Sequence, residues 1–244
     1  MLNEDPTIEK YIVKLQSGSD FIENKFRYSF WIPDKDVELA LKHDAIRSRV
    51  EKVKEFRLKS GSVAKSLASR SYAFRFPKKA TNHMFLIPRT TSSERKYLPV
   101  GVTDSETITT DAAYGIYDEP LWILGIIMSK MQVVWMKPLC GRMGNGYRYS
   151  SSICYNSFPF PSISDTKKSE IEEAATNVLL ARENYPEKTL ADLYDPEKMP
   201  EDLRAAHEEL DAIVESCYPG APFPNDEARL ECLFKLYEKM TANK

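Results

Sequence analysis

The segment that decides the fold is LWILGIIMSKMQVVW (residues 121–135), which is followed almost directly by KPLCGRMGNGYRYSSSICYNSFPFP (residues 137–161). The first segment is almost entirely apolar and is predicted to be a buried helix that runs into or lies beside a strand, since periodicity alone does not separate the two. The second segment combines glycines with cationic and aromatic side chains, contains no acidic residue and ends in alternating Phe and Pro. Together they predict a buried scaffold that presents a cationic turn.

The composition is that of a folded protein without a membrane span. Of the 244 residues, 42% are hydrophobic, which is enough to bury a core. The longest apolar run, residues 121–128, is far shorter than the roughly 20 residues that a membrane-spanning helix requires. The first ten residues, MLNEDPTIEK, lack the charged-then-apolar order of a secretory signal. We therefore expect no membrane partner and a cytoplasmic location.

Residue types that commonly carry catalysis are scattered along the chain. The cysteines form no Cys-x-x-Cys pair and have no histidine at metal-ligand spacing, so all are predicted to be reduced, mostly buried thiols: Cys140, Cys154, Cys217 and Cys232. The glycines of CGRMGNG (residues 140–146) do not have the spacing of a nucleotide-binding loop. No nucleophile elbow or His-Glu-x-x-His motif occurs. We expect no catalytic, cofactor-binding or metal-binding residues in this chain.

The net charge of −2 conceals a strong sorting of charge along the sequence. Residues 42–100 carry 15 Lys and Arg against 4 Asp and Glu, a net charge of +11. Residues 162–244 carry 10 against 19, a net charge of −9. A cationic block inside an acidic chain is typical of proteins that bind a polyanion, although a solvated helix face gives the same composition.

Hydrophobic periodicity predicts one basic helix in the first part of the chain. Over residues 36–59, apolar residues that include Phe56 recur on one face, and Lys and Arg occupy the other. Asp34 or Asp36 can cap the start of this helix, and Gly61 can end it.

The rest of the chain divides into a strand-rich part and a helical part. Residues 61–161 consist of short apolar or alternating runs bounded by Pro, Gly, Ser and Thr, which is typical of strands. Residues 165–182, 200–218 and 225–240 have helical periodicity, with Ser164 or Asp165, Pro200 and Asn225 at their starts. We predict an α+β fold: a mixed, β-rich domain with a basic helix (residues 1–161), followed by a small C-terminal three-helix bundle (residues 162–244).

Several polar side chains in the β-rich domain are suited to reading DNA. Arginine can form paired hydrogen bonds with guanine, and asparagine or glutamine can do so with adenine. Three segments place such groups among strands and turns: residues 87–99, 128–135 and 140–149. The predicted DNA-binding residues are Arg89, Ser92, Ser93, Arg95, Lys96, Lys130, Gln132, Arg142, Asn145, Arg148 and Tyr149. For any one of the charged residues, the simpler explanation is an ordinary exposed side chain.

Other cationic residues are predicted to contact phosphates, which position a duplex but do not specify its sequence. These are Lys42, Arg49, Lys52, Lys54, Arg57, Lys59, Lys65 and Arg70. The aromatic residues of YNSFPFP (residues 155–161) are predicted to pack as a clasp between the body and the helical tail, with base stacking as the alternative.

At these segments the sequence resembles the C-terminal part of the MmeI-like (type IIL) restriction–modification enzymes. The resemblance is carried in order by RVEKVKEFRLKS (49–60), FLIPRTTSSERKYLPVGV (85–102), residues 123–161, residues 181–218 and EARLECLFKLYEKMT (227–241). Where that family commonly has NNFPWP, this chain has NSFPFP (156–161), which retains the aromatic and proline positions of the clasp.

The resemblance implies that this chain is the target-recognition and C-terminal helical part of a longer parent protein. Its implied partners are double-stranded DNA and the methyltransferase domain of the same parent chain. S-adenosylmethionine, and Mg²⁺ if a nuclease is fused, are then implied for the parent and not for this part. The DNA-binding role would serve an N6-adenine methyltransferase of a restriction–modification system.

Two other interpretations remain open at this point. The acidic helices could dock a protein partner while the basic region binds RNA or an acidic protein. A metal-dependent nuclease could use Asp34, Glu94 and Lys96, which supply the residue types of a Mg²⁺ site but are far apart in sequence.

Overall fold

The computed structural model describes residues 6–242, and the predicted α+β fold is confirmed. The strands are β1 (Ile12–Gln16), β2 (Arg27–Phe30), β3 (His83–Pro88), β4 (Thr90–Ser92), β5 (Gly101–Asp104), β6 (Thr107–Thr109), β7 (Ala113–Tyr117), β8 (Gly141–Met143) and β9 (Gly146–Arg148). The α-helices are α1 (Gly18–Ile22), α2 (Val37–Ala40), α3 (Asp44–Lys59), α4 (Ser62–Ser66), α5 (Leu121–Met128), α6 (Lys130–Leu139), α7 (Asp165–Glu183), α8 (Leu190–Leu193), α9 (Glu201–Glu215) and α10 (Asp226–Ala242). Short 3-10 helices cover Pro6–Tyr11, Asp34–Asp36 and Ala68–Arg70, and a π-helical turn covers Ser151–Tyr155.

The strands form small three-stranded sheets. In the first, β1 lies between antiparallel β2 and parallel β6. In the second, β3 lies between β5 and β7, and both pairings are antiparallel. In the third, β9 lies between β4 and β8, again antiparallel on both sides. β3 and β4 are separated by Arg89 alone, so the second sheet leads directly into the third.

The predicted basic helix is interrupted in the structure. It forms as α2 and α3, and His43 between them has an extended backbone. The break allows Ala40 and Ile46 to be buried in one cluster, although a continuous helix would place them about 120° apart around its axis. Neither helix has a side-chain cap at its start, and Phe56 is 71% exposed, so the predicted cap and the inward position of Phe56 are wrong.

The apolar segment at residues 121–135 contains two helices and no strand. α5 ends at Met128, and α6 begins at Lys130 after the extended Ser129. The predicted helix is present, but the prediction of a strand after or beside it is wrong, because residues 130–135 are helical. Because residues 124–129 and 131–136 are buried on every side, the segment lacks the one-sided pattern that identifies a surface helix.

The three predicted C-terminal helices are α7, α9 and α10. Ser164 caps α7 by accepting from the Lys167 amide, and Asn225 Oδ1 accepts from the Ala228 amide at 2.9 Å at the start of α10. Pro200 lies one position before α9. The additional short helix α8 has its own capping box at Thr189 and Asp192.

One hydrophobic core runs through both predicted domains. α7 packs on α5 and α9, and α10 packs on α6, so the apolar helices α5 and α6 are covered by the C-terminal helices. The predicted aromatic clasp is confirmed: Phe158 is buried, its ring meets that of Trp135 edge-on, and Pro159 O accepts a hydrogen bond from the Tyr218 hydroxyl. Within residues 6–242, no helix has the length and hydropathy needed to cross a membrane.

Cys140 and Cys154 form a disulfide, so the prediction of four reduced thiols is wrong for this pair. They are 14 positions apart, and the β8–β9 hairpin between them reverses the chain and brings their Cα atoms to 6.8 Å. Sequence spacing carries no signal for a contact that depends on a hairpin. Cys217 and Cys232 are free.

Candidate nucleic-acid interface

The candidate interface is centred on the sheet formed by β4, β9 and β8, here called the ribbon sheet. Thr90 pairs with Arg148, and Arg148 pairs with Gly141 on its other side. β8 is an edge strand, and its three residues are exposed. The sheet places the segments of residues 87–99 and 140–149, predicted separately, next to each other.

The two arginines of the hairpin lie on opposite faces of the ribbon sheet. Paired residues share a face and successive residues alternate, so Arg148 is on the same side as Thr90 and Ser92. All three of these residues are exposed. Arg142 pairs with Tyr147 on the other face, and its guanidinium lies 5.5 Å from the centre of the Tyr147 ring. The hairpin thus carries one exposed cation on each side.

The turn between β8 and β9 presents Asn145 at its tip. Gly144 has φ +59, a conformation that glycine adopts without steric cost. The Asn145 side chain is exposed, and the backbone carbonyl of Asn145 accepts a hydrogen bond of 2.6 Å from the Ser93 hydroxyl. Ser93 therefore ties the turn to the segment that follows β4.

Arg89 directly precedes β4, and Arg95 and Lys96 follow β4 by three and four positions. The Arg89 guanidinium donates to the Asp111 carbonyl at 2.5 Å and lies over the Tyr114 ring, so it already has partners within the fold. Arg95 is half-buried, and burial lowers its pKa. Lys96 is exposed.

Two of the predicted DNA-binding residues are buried, and the prediction is wrong for both. Gln132 and Tyr149 are each 0% exposed. Gln132 Nε2 donates to the Tyr149 hydroxyl at 3.2 Å and to the Cys154 carbonyl at 2.7 Å. Burial raises the pKa of the Tyr149 phenol. These side chains join α6 to the base of the hairpin and cannot reach a base edge.

Lys130 is also directed away from the ribbon sheet. Its ammonium lies 3.4 Å from the carboxylate of Asp226, on α10, and its backbone amide donates to Asp211, on α9. Both partners belong to the C-terminal helices. Lys130 thus has partners within the fold, and its contact with DNA stays a prediction.

The basic helix α3 and the short segments beside it carry exposed cations. Of the residues predicted to contact phosphates, seven are exposed: Lys42, Arg49, Lys52, Lys54, Lys59, Lys65 and Arg70. Arg57 is different, because its guanidinium donates to the carbonyls of Leu67, Arg70 and Ala73 at 2.7–2.9 Å. Arg57 fixes the chain after α4 against α3, and the prediction of a phosphate contact is wrong for it.

Two exposed residues of the ribbon sheet were not predicted. Thr90 and Met143 lie on the face of Arg148. Alternation within β4 could have identified Thr90, since it is two positions before Ser92. Met143 has no comparable signal, because only the register of β8 against β9 places it there.

The residues of the nuclease alternative are not arranged as a metal site. Asp34 accepts a hydrogen bond from the Tyr72 hydroxyl at 3.1 Å and lies 3.9 Å from Arg70, and Glu94 is in the turn after β4. In the part of the chain that the structure describes, no group of three or more His, Cys, Asp or Glu side chains is placed to hold a metal ion.

Comparison with known proteins identifies relatives over the whole chain. The family model for the MmeI target recognition domain matches residues 1–162, and that for the MmeI C-terminal domain matches residues 163–243. The chain is 39% identical over 241 residues to DNA methyltransferase A of Bacillus subtilis (strain 168), which covers 98% of this chain and 27% of that protein.

A solved structure of the type IIL restriction–modification enzyme MmeI in complex with DNA superposes with a TM-score of 0.92 at 36% identity, covering 99% of this chain and 32% of that one. This chain therefore spans about a third or less of the length of these relatives. Together with the family matches, these similarities show that the chain belongs to the MmeI target recognition domain family and carries that family's C-terminal domain.

Proposed function

We propose that this chain reads the base sequence of double-stranded DNA for an adenine-specific methyltransferase of a restriction–modification system. Methyl transfer would take place in another part of a longer parent chain. The observation that carries the proposal is the exposed, cationic ribbon sheet, in a chain 36% identical to an enzyme whose structure was solved with DNA.

The dimensions of a β-hairpin suit the major groove. The groove of B-DNA is about 12 Å wide and admits a two-stranded ribbon. A hairpin that enters edge-on would direct Arg142 and Arg148 toward base edges on opposite sides, with Asn145 at the tip. Ser92 and Thr90 lie on the face of Arg148, and Ser93, Arg95 and Lys96 follow β4 in the chain. The opposite orientation of the two arginines is compatible with such a role.

The cations of α3 would supply affinity that does not depend on sequence. Phosphate contacts release counterions and make binding sensitive to salt. Lys52 and Lys59 are exposed on α3, lie seven positions apart on the same side of the helix, and represent this group in the test below.

S-adenosylmethionine would be bound by the methyltransferase domain of the parent, which is also the proposed intramolecular partner of this chain. The glycines at residues 141–146 do not fit a cofactor loop, because they belong to an antiparallel hairpin and not to a turn between a strand and a helix. Mg²⁺ would enter only if the parent also carries a nuclease.

The test compares arginine variants in duplex binding, with this chain and with the longer parent. Arg148→Ala should weaken binding of the recognised sequence by about 1–3 kcal/mol and relax selectivity at one base pair. The double change Lys52→Ala with Lys59→Ala should weaken binding to all duplexes equally and reduce the salt slope by about 2. Lys235→Ala, an exposed cation on α10 that pairs with Glu231, is the matched control.

The proposal predicts that Arg148→Ala changes base-pair selectivity, whereas the lysine double variant changes the salt dependence of binding. Equal losses from Lys235→Ala and Arg148→Ala would contradict it, as would binding by the parent that does not change with salt concentration.

A further inference from the structure

We infer that Asp211, on α9, is a positioning residue for DNA reading, because it holds both the segment that leaves β4 and the helix that leads into β8. The inference rests on the function proposed above and assigns a role in it to the C-terminal helical domain.

The Asp211 carboxylate accepts hydrogen bonds from two distant parts of the recognition region. Oδ1 accepts from the backbone amide of Lys130 at 2.6 Å, and Oδ2 accepts from the Tyr97 hydroxyl at 2.8 Å. The donors are 81 and 114 positions away in sequence. One side chain of the helical domain thus contacts two segments that are distant from each other in sequence.

The first of these contacts caps α6. The amides of a helix's first turn have no partner within the helix. Ser129 precedes α6 but provides no side-chain cap, and its hydroxyl donates to the Ile126 carbonyl in the preceding helix. Asp211 therefore replaces a local cap with a contact from α9, and α6 leads through Cys140 directly into β8.

The second contact holds the segment that leaves β4. Tyr97 is five positions after Ser92, the last residue of β4, and its side chain is buried. Its ring stacks on that of His207, one turn earlier on α9, with centres 4.0 Å apart. Hydrogen bonding and stacking by the same helix leave Tyr97 little freedom, and Arg95 and Lys96 immediately precede it.

Charged groups around Asp211 are paired mainly with each other. Lys130 Nζ is near Asp226, and Arg229 pairs with both Asp226 and Glu215. Burial raises the pKa of Asp211 to about 7 despite the two hydrogen bonds. Its contribution to position is therefore assigned to the two hydrogen bonds that it makes and not to its charge.

The test uses variants that separate hydrogen bonding from folding. In Asp211→Asn, Oδ1 can still accept from Lys130, and the amide nitrogen can donate to the Tyr97 oxygen, so this variant should behave as the wild type. Asp211→Ala removes both contacts. Tyr97→Phe keeps the ring and removes only the hydroxyl, which provides a test if Asp211→Ala does not fold.

The control is Asp202→Ala on the same helix. Asp202 accepts hydrogen bonds from the Tyr185 hydroxyl at 2.8 Å and from Asn184 Nδ2 at 3.1 Å, both within the helical domain. Asp202→Ala therefore removes two side-chain hydrogen bonds, as Asp211→Ala does, but neither of them involves a segment next to the ribbon sheet.

Two measurements are made on each variant: backbone hydrogen exchange over residues 90–97 and 141–148, and affinity for the recognised duplex. Asp211→Ala should speed exchange in both segments and weaken binding about 10-fold, Asp211→Asn should restore both, and Asp202→Ala should change neither. Tyr97→Phe should speed exchange over residues 90–97 only.

Wild-type exchange in Asp211→Ala, or the same change in Asp202→Ala, would overturn the positioning role. So would a failure of Asp211→Asn to restore exchange and affinity. Exchange is measured without DNA, so it separates this role from the proposed function: a wild-type parent that binds no duplex would overturn that function while exchange still reports whether Asp211 holds the two segments.

Discussion

Replacing Gly125 by alanine should destabilise the protein, because Gly125 lies where α5 crosses α7. A Cβ atom at this position would be 2.5 Å from Ile171 Cγ2 and 3.3 Å from both the Ile171 carbonyl and Ala175 Cβ. Ile171 is fully buried, so its methyl group has no free space to enter. The crossing would have to open, and with it the contact between the recognition region and the C-terminal helices.

Two opposing terms set the size of the effect. Alanine is favoured over glycine within a helix by about 1 kcal/mol. Overpacking a well-packed core costs about 1–3 kcal/mol, and three close contacts place Gly125 at the upper end of that range. We expect a net loss of about 2 kcal/mol.

Urea denaturation followed by circular dichroism measures this loss. Gly141→Ala is the matched control, since an added Cβ there has no neighbour within 4 Å, and it should change the free energy of unfolding by less than about 0.5 kcal/mol. Combining Gly125→Ala with Ile171→Ala should cost less than the sum of the single changes, because the second removes the methyl group that the first meets. A Gly125→Ala variant as stable as the wild type would refute the reasoning.

Three further predictions concern single groups. Burial raises the pKa of Asp211 from 3.8 to about 7, so between these pH values the folded state binds more protons than the unfolded state. The carboxyl of Asp211 therefore lowers the free energy of unfolding as pH rises through this range, by about 1.4 kcal/mol per pH unit. Asp211→Asn should flatten the pH dependence of the urea midpoint between pH 4 and 7. Thiol titration of the unfolded, unreduced chain should detect only Cys217 and Cys232, and Cys154→Ser should cost about 3 kcal/mol because the disulfide closes a loop of roughly 15 residues. Arg57→Ala should lower the free energy of unfolding by roughly 1 kcal/mol and leave the salt slope of DNA binding unchanged, since its guanidinium is bound to backbone carbonyls.

The amphipathic helices could be predicted well from the sequence because their cause is local. α7 and α10 have apolar residues at helical spacing and a capping residue directly before them. α5 and α6 could not be separated in advance, since a segment buried on all sides has no polar face to mark its period. The break before α3 could not be predicted from local periodicity, because it allows Ile46 to pack against residues that are distant in sequence.

Of the residues predicted for the candidate interface, some are exposed and others are buried. Arg142, Asn145 and Arg148 are exposed on the hairpin, as a glycine-rich, cationic segment predicts. Gln132 and Tyr149 have side chains equally able to bind a base, but they fill the space beneath the hairpin. Hydrogen-bonding capacity can be read from a residue's identity, whereas its exposure depends on what packs against it.

The sequence by itself determined the composition of this protein's surfaces: a cationic block, an acidic helical tail, an apolar central segment and an arginine-bearing turn. These properties belong to residues and their near neighbours, so they survive in the unfolded chain. Only the tertiary structure decided that Arg142 and Arg148 lie on opposite faces of one ribbon, that Cys140 meets Cys154, and that Asp211 contacts both the segment after β4 and the helix before β8. Strand register and helix packing bring these groups together across long stretches of chain, and no local pattern encodes such distances.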